Sequence, residues 1–505
     1  MTNGTMLQAF SWYLPADSQH WNRLRDAAPT FAHEGITAVW MPPAYKGEGG
    51  ANDDGYGVYD TYDLGEFDQK GSIPTKYGTK DEYVAAVAAI RGQGMQVLAD
   101  IVLNHRMGAD ATEEVHATEV DQANREETTS GDETIQAWTK FTFPGRAGAY
   151  DDFCWDWTCF HGTDWDETTH RKSVWLFDGK HWDEDVTHKE NGNFDYLMGA
   201  DVDLMYDHVY DELLRWGKWY LDLTGVDGFR LDALKHMERN FYLRWLSDLR
   251  QATGRELYTV GEYWSGDLSD LQGYLGDERA MSLFDVPLHY RLFSASNSMG
   301  NQDLAHIFDG TLVGSDPTHA VTFVDNHDTQ PNQALASTVE TWFKPSAYAL
   351  ILLREAGYPC VFYGDLYGMP NDGGIPAVAE LPLLMEVRRR FAYGEQHDYL
   401  DDADLIGWTR EGVGEHEGSG CAVILSDRGE GDKTMYVGTS HAGETWTCVL
   451  GDEASVTIGD DGNACFDAGA GRVSVYLPQA SASALERDPI VRHGQPQASE
   501  QTDKG

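Results

Sequence analysis

Apolar residues in this chain come in short runs that stop abruptly at polar or ionisable side chains. Eight such runs, over 5–10, 36–41, 96–101, 227–231, 257–261, 282–286, 320–324 and 360–363, have the length and composition of buried strands. Most are separated by stretches of helical period, among them 80–92, 209–223 and 239–252. Eight strands alternating with helices is the count of a closed (β/α)8 barrel, the TIM barrel of the α/β class.

One interval breaks the rhythm. Roughly 125 residues separate the third run from the fourth, where a single βα unit needs about 30. The excess, rich in Asp, Glu, Gly and aromatics, predicts a lobe inserted after strand 3. Past about residue 391 the pattern changes to short strands between Gly- and Asp-rich turns, including 405–408, 421–425, 434–437 and 472–477. This predicts a C-terminal antiparallel β-sandwich. The expected division is barrel 1–104, lobe 105–206, barrel 207–395, sandwich 396–478, and a polar, non-periodic tail 479–505 without fixed structure.

Charge changes the picture next. The 83 acidic against 37 basic residues give a net of −46, which excludes nucleic acid and anionic membranes as natural partners. Such a surface repels itself in dilute buffer and is screened by salt. A salt-adapted, halophilic protein is the expectation, against the plainer reading of a locally acidic mesophilic one. The six cysteines show no CxxC or Cys/His zinc spacing and are read as reduced, although Cys154 and Cys159 are close enough to bridge a turn. No signal peptide is legible before the first run, and no apolar run reaches membrane-spanning length. A cytoplasmic monomer is expected.

The chemistry lies where the runs stop. In 226–236 (Val-Asp-Gly-Phe-Arg-Leu-Asp-Ala-Leu-Lys-His) Arg230 and Asp232 stand two apart, so strand alternation puts both on one face. The cation keeps the carboxylate ionised and orients it; by itself this is as readily a structural ion pair. Three other runs end in the same manner, 96–105 on Asn104 and His105, 257–264 on Glu262 and Trp264, and 320–328 on Asn326, His327 and Asp328. In a parallel barrel these strand ends converge on one rim. Core packing accounts for the apolar halves of the runs but not for three acids just beyond them.

These four segments resemble the signature regions of the α-amylase family of retaining glycoside hydrolases. The likeness extends to 55–67 (Gly-Tyr-Gly-Val-Tyr-Asp-Thr-Tyr-Asp-Leu-Gly-Glu-Phe), 71–78 (Gly-Ser-Ile-Pro-Thr-Lys-Tyr-Gly) and 193–199 (Asn-Phe-Asp-Tyr-Leu-Met-Gly), stretches similar to the bacterial liquefying type and most of all its cytoplasmic branch. It runs from about residue 7 to 477. The resemblance implies an endo-acting hydrolase of α-1,4-glucans such as starch, glycogen or maltodextrins, with Asp232 as nucleophile, Glu262 as general acid/base and Asp328 as third carboxylate. Glu262 has no cation adjacent in sequence and two carboxylates for neighbours, so its pKa is expected to be raised.

The resemblance also places His105, His327, Arg230, Trp264, Lys235 and His236 against the sugar. Tyr56, in its Gly-Tyr-Gly loop, either stacks on a glucose ring or packs the loop; the residues alone leave this open. Calcium is the implied metal, with Asn104, Asp164, Asp195, Asp201 and the carbonyl of His236 as ligands; hard oxygen donors suit Ca2+. Some liquefying relatives carry a further metal cluster. Asp183 and Asp203 stand at its positions, but Met205 replaces an acid, and a thioether does not substitute for a carboxylate on Ca2+, so that second site is not expected.

Two competing functions follow. A relative using the same covalent intermediate for transglycosylation, or for trimming short oligosaccharides, has the same acids. A non-catalytic binding protein on this fold would have lost one of them, and none is lost. From the charge, thermal stability and activity are expected to rise with molar salt. A maximum in dilute buffer removes the salt-adapted reading.

Overall fold

The computed structural model describes residues 3–187, 189–369 and 374–487. The eight apolar runs form eight parallel strands, β1 (Met6–Gln8), β2 (Ala38–Met41), β3 (Gln96–Ile101), β4 (Gly228–Leu231), β5 (Tyr258–Gly261), β6 (Ser282–Phe284), β7 (Ala320–Phe323) and β8 (Tyr358–Phe362). Each pairs with the next in chain order and β8 pairs with β1, which closes the ring. Both faces of such a sheet are covered, which is why the strands read as continuous apolar runs instead of alternating ones. A methyl group at Gly228 would fall 1.8 Å from the Tyr258 carbonyl oxygen. Only glycine lets β4 lie this close to β5, two residues before Arg230.

The surrounding helices include α1 (His20–His33), α2 (Lys80–Gly92), α3 (Asp207–Thr224) and α4 (Arg239–Thr253). A reciprocal capping box between Thr79 and Glu82 starts α2. Gly225 and Gly254 end α3 and α4 in the left-handed conformation, with φ of 70° and 65°. One face of α4 carries Phe241, Trp245 and Leu249, four residues apart, and Trp245 stacks on Trp216 of α3 at 6.4 Å.

The inserted stretch folds on one six-stranded antiparallel sheet, in the order His105–Arg106, Ala200–Val202, Phe160–Asp166, Arg171–Phe177, Ala111–Val120, Thr128–Lys140. Its first strand leaves the end of β3 directly. The edge strand therefore continues the barrel rim, and Asp201 pairs with His105.

Beyond the barrel a six-stranded antiparallel sheet faces a two-stranded one, Gly431–Tyr436 with Asn463–Ala468. Strand Cys421–Ser426 shows how period two serves two cores. Ala422 and Ile424 pack with Met435, Trp446 and Phe466 inside the sandwich, while Cys421, Val423 and Leu425 join the barrel core. The expectation of an unstructured tail is corrected over its first part. Gln479–Arg487 is a helix, with Ala482 and Leu485 buried and Ser481 Oγ donating to the Gly418 carbonyl at 2.7 Å. Apolar residues three apart in an Ala/Ser-rich segment are a helical signal hidden by its overall polarity. Residues 488–505 lie outside the described residues. All six cysteines are free, and no helix among the described residues is long and apolar enough to cross a membrane.

Candidate active site

The four polar strand ends meet on one rim around Arg230. Register explains how: Arg230 stands opposite Asp100 of β3 on one side and Val260 of β5 on the other. Its guanidinium is fully buried; Nη1 donates to Asp100 Oδ1 at 3.0 Å and to Asp232 Oδ1 at 2.6 Å, while Nη2 donates to Glu262 Oε2 at 2.9 Å. Asp232 and Glu262 are thus held by neighbouring nitrogens of one planar group. The side chains of Asp232, Glu262 and Asp328 keep 12, 11 and 25 % exposure, so all three can meet a molecule in the cleft. Just past Asp232, Ala233 takes a left-handed conformation with φ 54°, and its N–H donates to Glu262 Oε2 at 3.1 Å. A non-glycine residue held there is a strained turn at the centre of the site.

The third acid sits on a braced loop. Asn326 Oδ1 accepts from the backbone N–H groups of Asp328 and Thr329, both at 2.9 Å. Below it Lys344 Nζ lies 2.8 Å from Asp325 and also pairs with Asp365, all three buried.

Electrostatics separate the acids. Burial pushes Glu262 up to about 8; Asp232 and Asp328 add to this and Arg230 opposes it. Asp328 rises to about 7, mainly through burial, and Asp100 to about 6 for the same reason. The sequence reading gave Arg230 to Asp232 and left Glu262 without a cation; the guanidinium in fact serves both. Desolvation nevertheless outweighs it at Glu262.

The other expected residues fall around this centre. Tyr56 donates its hydroxyl to Asp100 at 2.7 Å and stacks on His327 at 5.2 Å and 18°. One face of its ring is therefore covered, so the loop-packing reading holds for that face. His105 Nε2 lies 2.9 Å from the Tyr56 carbonyl, and Gln8 reaches His327 Nδ1 at 2.9 Å. Burial lowers the pKa of both histidines and of His236, the last to about 3. Trp264 donates to the Tyr290 hydroxyl at 3.0 Å, and Lys235 bonds Glu190 at 2.7 Å and the Trp264 carbonyl at 3.3 Å. Lys235 and Tyr263 line a cavity of about 500 Å³ together with Asp185, Lys189 and Asp270. His236 stacks on Phe194 at 4.4 Å and bonds its carbonyl. Sequence reasoning missed Asp100, Gln8 and Trp12, the last packed on Tyr56 and His327. Only Asp100 left a signal, an acid inside an apolar strand.

The expected metal ligands divide. Asp195 and Asp201 are buried beside Asn104, whose backbone carbonyl accepts from Val202 N at 3.0 Å. Asp164 is not with them. It pairs with Lys172 at 3.6 Å and contacts Tyr196. The residue that does join the acids is His161, surrounded by Asp183, Asp195, Asp201 and Asp203. Burial opposes a charge on this ring, but the carboxylates raise its pKa well above the usual histidine range. Met205 is 40 % exposed. A second acid pair lies beyond β8, where buried Asp427 has the backbone of Gln302 and the carboxylate of Asp404 close by.

Removing the shared cation leaves the carboxylates of Asp100, Asp232 and Glu262, two of them buried, without their common partner. Arg230→Ala is expected to destabilise the fold by about 3–5 kcal/mol, read as a lowered denaturation midpoint. A midpoint within error of the parent would mean the acids do not depend on it.

Comparison with known proteins agrees with this arrangement. Residues 31–380 match the family model described as "Alpha amylase, catalytic domain". The chain is 52 % identical to the alpha-amylase of Geobacillus stearothermophilus over 94 % of its own length and 87 % of the relative's. It is 50 % identical to the glucan 1,4-alpha-maltohexaosidase of Bacillus sp. (strain 707), covering 94 % and 92 %. Identity to the cytoplasmic alpha-amylase of Escherichia coli (strain K12) is 43 %, covering 94 % and 99 %. Among solved structures, the alpha-amylase of Geobacillus thermoleovorans complexed with acarbose superposes with a TM-score of 0.63 at 15 % identity, over 94 % of this chain and 98 % of that one. A closed parallel barrel with acids gathered on its rim, and half of all residues shared with such relatives, make this chain a member of the α-amylase family of glycoside hydrolases.

Proposed function

We propose that this enzyme cleaves internal α-1,4-glucosidic bonds of starch, glycogen or maltodextrins by double displacement with retention. The observation that carries the reading is the pair Asp232 and Glu262 on one guanidinium, the second carboxyl raised to about 8. Retaining enzymes need two carboxyls about 5 Å apart, one ionised and one protonated. Glu262 gives its proton to the glycosidic oxygen as Asp232 attacks the anomeric carbon, so the C–O bond breaks and a glycosyl ester forms. Glu262, now ionised, takes a proton from water, which displaces Asp232. Asp328 faces the developing positive charge. Tyr56, His105 and His327 form one wall, and Lys235, His236 and Trp264 the leaving-group side. A sugar replacing water at the second step gives transglycosylation instead, and product analysis on maltoheptaose separates the two.

Calcium fits a part of the expected set. Asn104, Asp195, Asp201 and the carbonyl of His236 would hold it, whereas Asp164 is engaged by Lys172 and Tyr196. A hard ion there supplies a cross-link between the end of β3 and the lobe. The division into barrel, inserted lobe and sandwich at 105–206 and 396–478 belongs to the same reading. The net charge supports salt adaptation, and the Escherichia coli relative supports a cytoplasmic setting.

Glu262→Gln is expected to lower kcat on the order of 10²–10⁴-fold while oligosaccharide binding persists; near-parent turnover removes Glu262 as the acid. Because its folded pKa is raised, Glu262 keeps its proton below about 8 and loses it above. The kcat/KM profile should therefore fall on the alkaline side near that value. A profile flat through that range assigns the proton elsewhere. Chelation by EDTA should lower Tm, with recovery on adding Ca2+. An unchanged Tm shows that no calcium supports the fold.

A further inference from the structure

Gln8, the last residue of β1, is buried, and its amide Nε2 lies 2.9 Å from Nδ1 of His327. Its Oε1 is buried with no hydrogen-bond partner. The bond to His327 is therefore the only one the side chain makes among the described residues. An orphaned buried acceptor is a cost that an apolar side chain of the same shape avoids. Packing by itself does not account for a glutamine at this position.

The imidazole on the other end of the bond is boxed in. Phe10, Trp12, Trp40 and Tyr56 surround it, with ring centroids 5.0, 5.4, 5.7 and 5.2 Å away, and a close-packed shell of aromatics resists turning the ring over. Burial, with Arg230 nearby, holds its pKa well below the usual histidine range. A neutral ring carries one proton on one nitrogen and a lone pair on the other. Nε2 faces Asp328 Oδ2 at 3.4 Å, and an ionised carboxylate only accepts. A proton on Nδ1 would set the bare lone pair of Nε2 against that oxygen. A proton on Nε2 leaves Nδ1 needing a donor, and Gln8 is the group that supplies one.

We propose that Gln8 is a positioning residue, which by donating to Nδ1 fixes His327 as the Nε2–H tautomer and so sets a hydrogen-bond donor beside Asp328. The bond made by one ring nitrogen decides which form the other presents. Resting on the glucan-hydrolase reading, the group that meets this N–H is a hydroxyl oxygen of the sugar held against Asp328. Without Gln8 the proton can sit on either nitrogen, and a bare Nε2 offers a lone pair where an acceptor has to bind.

The ring state is read by 15N NMR of the full chain labelled in histidine, without substrate, at pH 8, above the value of about 7 to which Asp328 is raised. The His327 signals are assigned by their loss in His327→Asn. Nε2 should have the shift of a protonated ring nitrogen and Nδ1 that of a bare one. Gln8→Met, close in shape but without the donor, should move both shifts toward a mixture of the two forms. The same variant should lower kcat/KM on maltoheptaose about 10-fold, the scale of one net hydrogen bond. In a His327→Asn background it should cost no more than about 2-fold, because its effect passes through the missing ring. A parent ring protonated on Nδ1, a ring state unchanged in Gln8→Met, or an equal loss in both backgrounds overturns the role. A parent that leaves maltoheptaose intact counts against the glucan reading, and the ring state then decides the role of Gln8 by itself. Should Gln8→Met not fold, neutron diffraction from deuterium-exchanged crystals of the parent decides. Deuterium on Nε2, with a Gln8 N–D facing Nδ1, is expected, and deuterium on Nδ1 overturns the proposal.

Discussion

Arg230 is buried at the end of β4, where a lone cation would carry a large desolvation cost, and it stays there because Asp100, Asp232 and Glu262 converge on it. The dependence runs both ways. Three carboxylates so close repel one another, and the planar guanidinium offers donors to all of them at once, which an ammonium on a flexible stem does not. The barrel register brings Asp100 opposite the cation, and the left-handed turn at Ala233 aims an N–H at Glu262. Strand register therefore sets where Arg230 and Asp100 meet, while the turn at Ala233 and the braced loop of Asp328 complete the rim.

The same centre also sets the division of labour between the acids. Asp232 is bonded to the cation at 2.6 Å, whereas at Glu262 burial overrides the cation and holds the proton. Trp12, Tyr56 and His327 pack on one another along another part of the rim.

At the lobe, negative charge is concentrated where the inserted sheet joins the end of β3. Three buried carboxylates and the partly buried Asp203 surround His161, and Lys180 pairs with Asp203.

The eight strands, the inserted lobe, the sandwich and the acids on the rim were legible in the chain, because apolar period and strand-end polarity are local properties. Asp232, Glu262 and Asp328 could be picked out for the same reason, each lying just past an apolar run. What the chain concealed depended on neighbours distant in sequence. Asp100 gained a role only when β4 brought Arg230 opposite it, Tyr56 could stack on a sugar or pack its loop until His327 covered one face, and the partners of Asp164, Lys172 and Tyr196, came from the fold. Sequence by itself determined which residues form strands and which acids end them, since that follows from side-chain period. Only the tertiary structure decided which charges meet, because pairing across strands is set by register and burial, and neither is written along one segment.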